Sequence, residues 1–245
     1  IKQVTNTPEN ELGASFSPDG KKIVFARAET GGGPSLFIAS ADGSHEEKIV
    51  KGGVWPLWNA TKNKILYGKF GDNNRGVYIY DPVKKIETKL VGHKKKPSSS
   101  AWGINGDTIY FVQNGASGAE VHRMKPDGSH IESLGLKAQG DSRPMISPDG
   151  HQLVWGHSRY GGADIFSYNL HQKKETNLTP NSFYERFPDV NPLNQNLLVS
   201  SKQDGNGEIY MIGHHQKTVN LTESPADEMG ARWSPDGKML SYSSN

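Results

Sequence analysis

Short apolar stretches alternate with turns rich in Gly, Asn, Asp and Pro along the whole chain, and the alternation repeats at a nearly constant spacing. Residues 16–23 read FSPDGKKI and residues 233–240 read WSPDGKML, so an apolar residue stands at both ends of an eight-residue frame. Four further copies keep that frame, at residues 58–65, 102–109, 146–153 and 190–197. The apolar residues that end the six frames are separated by 42, 44, 44, 44 and 43 residues. This regular period predicts six copies of one structural unit.

The pattern inside each unit is that of β-strands. In the first unit, residues 14–17, 22–27, 35–40 and 46–50 are short runs of β-formers, which we name strands A, B, C and D. Strand B is apolar on both faces, with Ile23 and Phe25 on one and Val24 on the other, so it belongs between stacked sheets. We therefore expect an all-β fold, a six-bladed β-propeller of four-stranded antiparallel blades.

The two ends of the chain resemble parts of one unit. Residues 1–7 match the later strands D, and residues 231–245 supply a strand A and a strand B. We expect the N-terminal strand to join the last blade and close the ring, so that residues 1–245 form a single propeller domain. This last blade has no strand C, and we interpret the gap as a sequence cut short at its C-terminus, because a missing strand leaves unpaired edges.

Composition excludes several classes of function. The net charge is +2, with 28 basic and 26 acidic residues, which argues against nucleic-acid binding by bulk electrostatics. Cysteine is absent, so there are no disulfides or thiolate metal sites. No apolar run approaches the roughly 20 residues of a membrane helix. The chain has neither a G-x-S-x-G nor an H-E-x-x-H motif, and its nine histidines are scattered. We expect no catalytic residues, no metal and no cofactor.

The repeat resembles that of a known family. SPDG stands intact at Ser17, Ser147 and Ser234, and the last complete unit adds DGNGEIY at residues 204–210 and LTE at residues 221–223. These motifs resemble the TolB-type propeller repeat over essentially the whole chain. The resemblance implies a bacterial propeller, periplasmic or secreted, that contacts other macromolecules. The same repeat occurs in propellers of prolyl-oligopeptidase-like peptidases and in oligogalacturonate lyases, so it indicates the fold more strongly than the function.

Two columns of aligned positions are candidates for a site at the mouth of the central channel. The first stands five residues before the frame and could attract a cation or a basic peptide; its acids could instead accept hydrogen bonds within their own loops. The second stands four residues after the frame, at the channel-side end of strand B, and its residues could instead bond to the neighbouring blade. The first column contains Glu11, Asp141, Glu185 and Glu228, and the second contains Arg27, Lys69, Gln113 and His157.

Aromatic and arginine side chains in the same loops are candidate contact anchors. They are Trp55, Arg75, Arg143, Tyr160, Tyr184 and Arg186. We expect a non-catalytic extracytoplasmic scaffold that binds a protein or peptide at the channel mouth. Two alternatives stay open. One is a carbohydrate-binding or lyase-like propeller that uses Arg27, Lys69, Arg143 and His157, and the other is the propeller domain of a larger peptidase.

Overall fold

The computed structural model describes residues 2–30, 33–59, 61–71, 73–92, 97–115, 118–138, 143–159, 162–180, 183–213 and 217–245. These residues contain 22 strands and no helix, and hence no helix that could span a membrane. The strands are β1 (Glu11–Phe16), β2 (Lys22–Arg27), β3 (Ser35–Ser40), β4 (Glu47–Lys51), β5 (Gly53–Trp58), β6 (Ile65–Lys69), β7 (Gly76–Asp81), β8 (Ile86–Gly92), β9 (Pro97–Trp102), β10 (Ile109–Gly115), β11 (Gly118–Met124), β12 (Glu132–Ala138), β13 (Met145–Ile146), β14 (Gln152–Arg159), β15 (Gly162–Asn169), β16 (Lys174–Asn177), β17 (Arg186–Val190), β18 (Leu197–Ser201), β19 (Glu208–Ile212), β20 (Thr218–Asn220), β21 (Glu228–Trp233) and β22 (Leu240–Ser244).

The strands form antiparallel sheets in chain order. Five sheets have four strands each, β1–β4, β5–β8, β9–β12, β13–β16 and β17–β20, and we call them blades 1 to 5. The remaining pair, β21 and β22, forms a two-stranded sheet that we call the closing sheet. The predicted propeller of four-stranded antiparallel blades is confirmed. The predicted count is wrong, because the described residues form five such blades and one two-stranded sheet.

The hydrophobic core lies between neighbouring blades. Val24 and Leu36 of blade 1 pack with Ile65 and Tyr67 of blade 2, and all four are buried. Equivalent clusters join blades 2 and 3, 3 and 4, 4 and 5, and blade 5 and the closing sheet. The second strand of blades 2 to 5 contributes to the clusters on both of its faces, and in blade 1 the other face of β2 is buried in a cluster with Val4. The prediction of a strand B buried on both faces is confirmed.

The SPDG motif forms the turn between the first two strands of a blade. In blade 1, the Ser17 hydroxyl donates to Asp19 Oδ1 at 2.7 Å and accepts from the Lys22 N–H at 2.9 Å. Gly20 takes a φ of 67°, which residues with a Cβ rarely adopt, and its N–H donates to the Ser17 carbonyl at 2.9 Å. The same bonds recur at Ser147 and Ser234, so the intact motifs mark identical turns.

The N-terminal segment does not form the predicted closing strand. Residues 2–7 contain no strand, because strand D of a blade pairs with strand C, and the closing sheet has only the two strands β21 and β22. The segment still lies against blade 1. Val4 packs on a cluster that contains Phe37 and Ala39, and a Cβ at Gly43 would lie 2.1 Å from the Val4 carbonyl oxygen.

Asp81 at the end of β7 gives a pH-dependent contribution to stability. It accepts hydrogen bonds from Lys64 Nζ and, at 3.0 Å each, from the N–H groups of Val83 and Lys84. The lysine above all lowers the pKa of Asp81 to about 2. Because this pKa lies below the ordinary value of about 3.9, the contribution is fully present above about pH 4 and is lost as the pH falls toward 2. We expect the urea midpoint of unfolding to fall over this range.

The matched variant is Asp81→Asn, which cannot be ionised. The difference in urea midpoint between the wild type and this variant should shrink as the pH falls from about 5 to about 2.5. A difference that stays constant over that range would show that ionised Asp81 contributes nothing to stability.

Candidate binding site at the channel mouth

Strand A of most blades contains a bulge at one fixed position of the repeat. Register shifts in pairing interrupt β1, β5, β17 and β21 there, and the residue at the bulge has a positive φ. The same backbone conformation occurs at the equivalent residue before β13. A bulge turns a side chain away from its usual direction. The residues concerned are Gly13, Trp55, Arg143, Phe187 and Gly230.

Three of these side chains meet across the ring. The guanidinium carbon of Arg143 lies 3.5 Å from the ring centroid of Trp55 and 4.1 Å from that of Phe187, and the two ring centroids are 6.0 Å apart. Arg143 is only 4% exposed. Because the residues come from blades 2, 4 and 5, they can meet only near the central axis. We call this group the axial stack, and it fills the channel at this level.

Glycine at two of the remaining bulge positions leaves room for the axial stack. A Cβ at Gly13 would lie 3.0 Å from Cε3 of Trp55, and one at Gly230 would lie 3.7 Å from Nη1 of Arg143. The first distance is tighter than an ordinary van der Waals contact, so any other residue at position 13 would displace the indole. The sequence predicts Trp55 and Arg143 as loop anchors but not Phe187, for which the shared repeat position is the available signal.

Where both positions are described, the two columns identified from the sequence are cross-strand neighbours within one sheet. In the pairing register, Glu11 stands opposite Arg27, and Glu228 stands opposite Ser244. Glu11 accepts hydrogen bonds from the hydroxyls of Thr5 and Thr7 at 2.9 and 2.5 Å, and from Arg27 Nε at 2.7 Å. This carboxylate is therefore neutralised, by side-chain donors and not by the loop N–H groups considered above. Asp141 lies outside the described residues.

Glu185 and Glu228 are more deeply buried than Glu11. Their exposed fractions are 3% and 2%. The hydroxyl of Ser201 lies 3.5 Å from Glu185 Oε1, and that of Ser244 donates to Glu228 Oε1 at 3.0 Å. Each acid is thus held beside a serine at the end of strand B in its own sheet. The structure brings these four residues to the same end of the propeller as the axial stack.

Several buried side-chain oxygens at this end of the molecule accept no hydrogen bond from the described residues. Glu228 Oε2, Asp164 Oδ1 and Gln113 Oε1 are buried, and among the described residues none of these atoms has a hydrogen-bond partner. Asp164 stands opposite His157 in the pairing of β14 with β15, and its other oxygen accepts from Asn177 Nδ2 at 2.8 Å. Buried oxygens of this kind are suited to a ligand that donates hydrogen bonds or carries positive charge.

Two side chains of the second column, Arg27 and Lys69, reach outward to the fourth strand of their own blades or to the residue before it. Lys69 Nζ lies 2.7 Å from Glu87 Oε2 on β8, and Arg27 Nη1 lies 2.5 Å from Glu46 Oε1 just before β4. Hydrogen bonds to Glu46, and less strongly to Glu11, raise the pKa of the Arg27 guanidinium. The bonds of Arg27 and Lys69 therefore stay within their own blades instead of crossing to the next, and their charged groups are turned away from the axis. His157 packs beside Phe166, with ring centroids 5.9 Å apart.

The loops around the mouth carry exposed aromatic side chains beside arginines. Arg186 lies 4.4 Å from the ring centroid of Tyr184, and Arg75 lies 5.6 Å from that of Phe70. Phe70, Phe183 and Tyr184 are 43%, 39% and 39% exposed. Tyr184, Arg186 and Arg75 are among the contact anchors predicted from the sequence. The two phenylalanines are not, although each lies in a turn-rich loop. Tyr160 lies outside the described residues.

Solved structures share this architecture. TolB from Acinetobacter baumannii superimposes with a TM-score of 0.74 and 18% identity, covering 100% of this chain and 56% of that one. A protein from Agrobacterium tumefaciens provisionally named TolB superimposes with a TM-score of 0.80 and 18% identity, covering 100% and 93%. The chain has a TolB-like propeller fold. A propeller in a nidogen/laminin complex also matches, with a TM-score of 0.73 and 12% identity over 89% of this chain and 82% of that one.

Curated relatives of this TolB-like propeller are longer proteins. The uncharacterized peptidase YuxL of Bacillus subtilis is 24% identical over 178 residues, which cover 69% of this chain and 25% of the peptidase. An uncharacterized protein of Agrobacterium fabrum is 23% identical over 142 residues, 57% of this chain and 48% of the relative. The chain therefore spans about half or less of these relatives. No family model matches the sequence.

Proposed function

We propose that this chain is a non-catalytic binding scaffold that holds a protein or peptide across the mouth of its channel. The observation that carries the proposal is the pairing of exposed aromatic rings with arginines around the mouth, Tyr184 with Arg186 and Phe70 with Arg75. Tyrosine, phenylalanine and arginine are the residues that protein interfaces favour over the rest of the surface. Anchors of this type carry most of the binding energy in such interfaces.

The axial stack supports a ligand that lies across the mouth. Arg143 fills the space between Trp55 and Phe187, so an extended chain does not pass along the axis at this level. A partner would instead rest on the loops, with the stack as the floor of a shallow depression. Shallow contact surfaces of this kind are typical of protein recognition, whereas small-molecule sites are usually deep and enclosed.

The charge at the mouth indicates what the partner presents. Glu11 is neutralised by Arg27, but Glu228 and Asp164 each keep a buried oxygen without a hydrogen-bond partner among the described residues. A lysine or arginine side chain, or a free amino terminus, would supply the missing donors. We therefore propose a partner segment that carries at least one positive charge at its centre.

The similar structures support the class and the place of action. Two of the similar structures are named TolB, and a third is that of a nidogen/laminin complex. By the resemblance of its repeat to the TolB type, we propose that the chain acts in the periplasm or outside the cell. We further propose that residues 1–245 form one domain, which contains the five blades and the closing sheet.

A second candidate is the propeller domain of a larger peptidase. The match to the B. subtilis peptidase covers 69% of this chain but only 25% of that protein, as a domain within a longer enzyme would. In this case the propeller would bind substrate peptides and the chemistry would lie elsewhere. Both candidates involve a peptide ligand, so they share the binding test below.

The test is selection of displayed peptides on the immobilised chain. We expect selected peptides to contain Lys or Arg and to lose at least about tenfold in affinity for the variants Tyr184→Ser and Phe70→Ser, because each removes an interface anchor. Titration calorimetry with synthetic copies of the selected peptides measures this change. Both rings are exposed, so the variants should keep the wild-type stability within about 0.5 kcal/mol.

The control variant is Val83→Ser, which removes a 78% exposed apolar side chain from the turn after β7, at the opposite end of the blade. Peptides that bind this variant as well as the wild type support the mouth as the site. Peptides weakened only by Val83→Ser would contradict it. Stabilisation by acidic oligosaccharides together with a divalent cation, in place of peptide binding, would favour the carbohydrate alternative.

A further inference from the structure

Two histidines that are 20 residues apart in the sequence meet on the surface of blade 4. His151 directly follows the SPDG turn between β13 and β14, and His171 lies in the turn between β15 and β16. The two turns are neighbours because Gln152 pairs with Asn169, and because the Leu170 N–H donates to the His151 carbonyl at 2.9 Å. The fold therefore places the two imidazoles side by side, at the end of the propeller opposite the mouth.

Hydrogen bonds fix the backbone beneath both rings. The His151 N–H donates to Asp149 Oδ1 at 2.9 Å, and the His171 N–H donates to Asn169 Oδ1 at 3.0 Å. Asp149 is itself held by the Ser147 hydroxyl, which lowers the pKa of its carboxyl. Because side-chain acceptors close both turns, the backbone positions of the two histidines are well defined. Little backbone conformational entropy therefore remains to be lost when the imidazoles bind a ligand.

The geometry of the ring nitrogens matches a pair of metal ligands. His171 Nε2 and His151 Nδ1 are 2.9 Å apart, and the ring planes meet at 63°. Two metal–nitrogen bonds of about 2.1 Å span about 3.0 Å at the right angle of square-planar Cu²⁺ or Ni²⁺, and about 3.4 Å at the tetrahedral angle of Zn²⁺. Small rotations of the two exposed rings can therefore bring both nitrogens onto an ion without moving either turn. Each imidazole then keeps its proton on the nitrogen that faces away from the ion.

We propose that His151 and His171 form a surface site for a divalent transition-metal ion of the type that prefers imidazole, namely Cu²⁺, Ni²⁺ or Zn²⁺. Both side chains are exposed, so an ion can approach from solvent and complete its coordination with water. No group of three or more His, Asp or Glu residues suited to a metal occurs among the described residues, so this is a site with two protein ligands. The proposal is independent of the function at the mouth.

The test is copper titration of the untagged chain, followed by electron paramagnetic resonance. With one equivalent of Cu²⁺, we expect a saturable spectrum with two equatorial nitrogens in the wild type. His171→Gln and His151→Gln should each lose this spectrum and weaken binding by about tenfold or more, as expected when one of two ligands is removed. Thermal shift should show stabilisation by Zn²⁺ or Ni²⁺ but not by Mg²⁺ or Ca²⁺, which prefer oxygen ligands.

His130→Asn is the matched control. His130 is exposed in the corresponding turn of blade 3, with Nδ1 2.8 Å from the hydroxyl of Ser129, and asparagine tolerates its φ of 55°. This variant should bind Cu²⁺ like the wild type. The proposal is overturned if the wild type shows no saturable two-nitrogen spectrum, or if both His→Gln variants retain it.

Discussion

Replacing Arg143 by alanine is expected to lower the free energy of unfolding by about 3 kcal/mol, because it empties the centre of the ring. The guanidinium lies 3.5 Å from the Trp55 centroid and 4.1 Å from the Phe187 centroid, and the residue is 4% exposed. Its removal deletes a desolvated cation–π contact on each face and leaves a cavity between two aromatic rings. Urea unfolding followed by tryptophan fluorescence measures the loss, and Trp55 itself should report a change of environment.

Two further variants separate charge from volume. Arg143→Met keeps most of the volume but loses the charge, so it should cost about half as much as the alanine variant. Arg75→Ala removes an arginine that stacks on Phe70 at 5.6 Å in a partly exposed loop, and it should change the stability by about 0.5 kcal/mol or less. If Arg143→Ala unfolds at the same urea concentration as the wild type, the axial stack does not stabilise the ring.

The architecture was predictable because its signals are local. An SPDG turn needs only Ser17, Asp19 and Gly20 to close, and the same residues recur at fixed intervals. A strand that is apolar on both faces is predicted to be buried on both faces. The count of blades was not predictable in the same way. Residues 2–7 carry a strand D pattern, but pairing also requires a strand C beside them, and among the described residues the closing sheet has no such strand.

The candidate site was only partly predictable, because side-chain direction depends on the backbone. Aligning the repeats identified Glu185 and Glu228, since equivalent positions of a propeller lie at equivalent heights. It did not reveal that Lys69 turns outward to Glu87, because the position of an acid on strand D is not part of the repeat. Phe187 was missed for a related reason. An apolar residue on strand A is expected in the core, and only the bulge turns this one to the axis.

A buried ion pair joins blade 5 to the closing sheet. Asp189 and Arg232 occupy the same repeat position in neighbouring strands A, are 6% and 5% exposed, and lie 3.3 Å apart between Oδ1 and Nη1. Asp189 Oδ2 also accepts the Trp233 N–H at 2.8 Å, and Arg232 donates to the Pro188 carbonyl at 2.9 Å. Burial raises the pKa of Asp189, against the opposing effect of Arg232. The carboxyl thus favours folding most below its ordinary pKa of about 3.9, and this contribution is lost as the pH rises through the raised value.

Replacing Asp189 by alanine alone should cost about 3–5 kcal/mol at neutral pH, because it leaves the Arg232 charge buried and the Trp233 N–H without an acceptor. The double variant Asp189→Ser with Arg232→Met should cost less than about 1 kcal/mol, measured by urea unfolding. Both replacement residues, serine and methionine, occur at this position in other units of the repeat. At this position blade 1 has Ser15, whose hydroxyl accepts the Trp58 N–H at 3.1 Å, and blade 4 has Met145. If the double variant is as unstable as the single one, the ion pair itself is needed to hold blade 5 to the closing sheet. If the double variant is as stable as the wild type, a hydrogen bond from the Trp233 N–H to the side chain at position 189 is sufficient to join them.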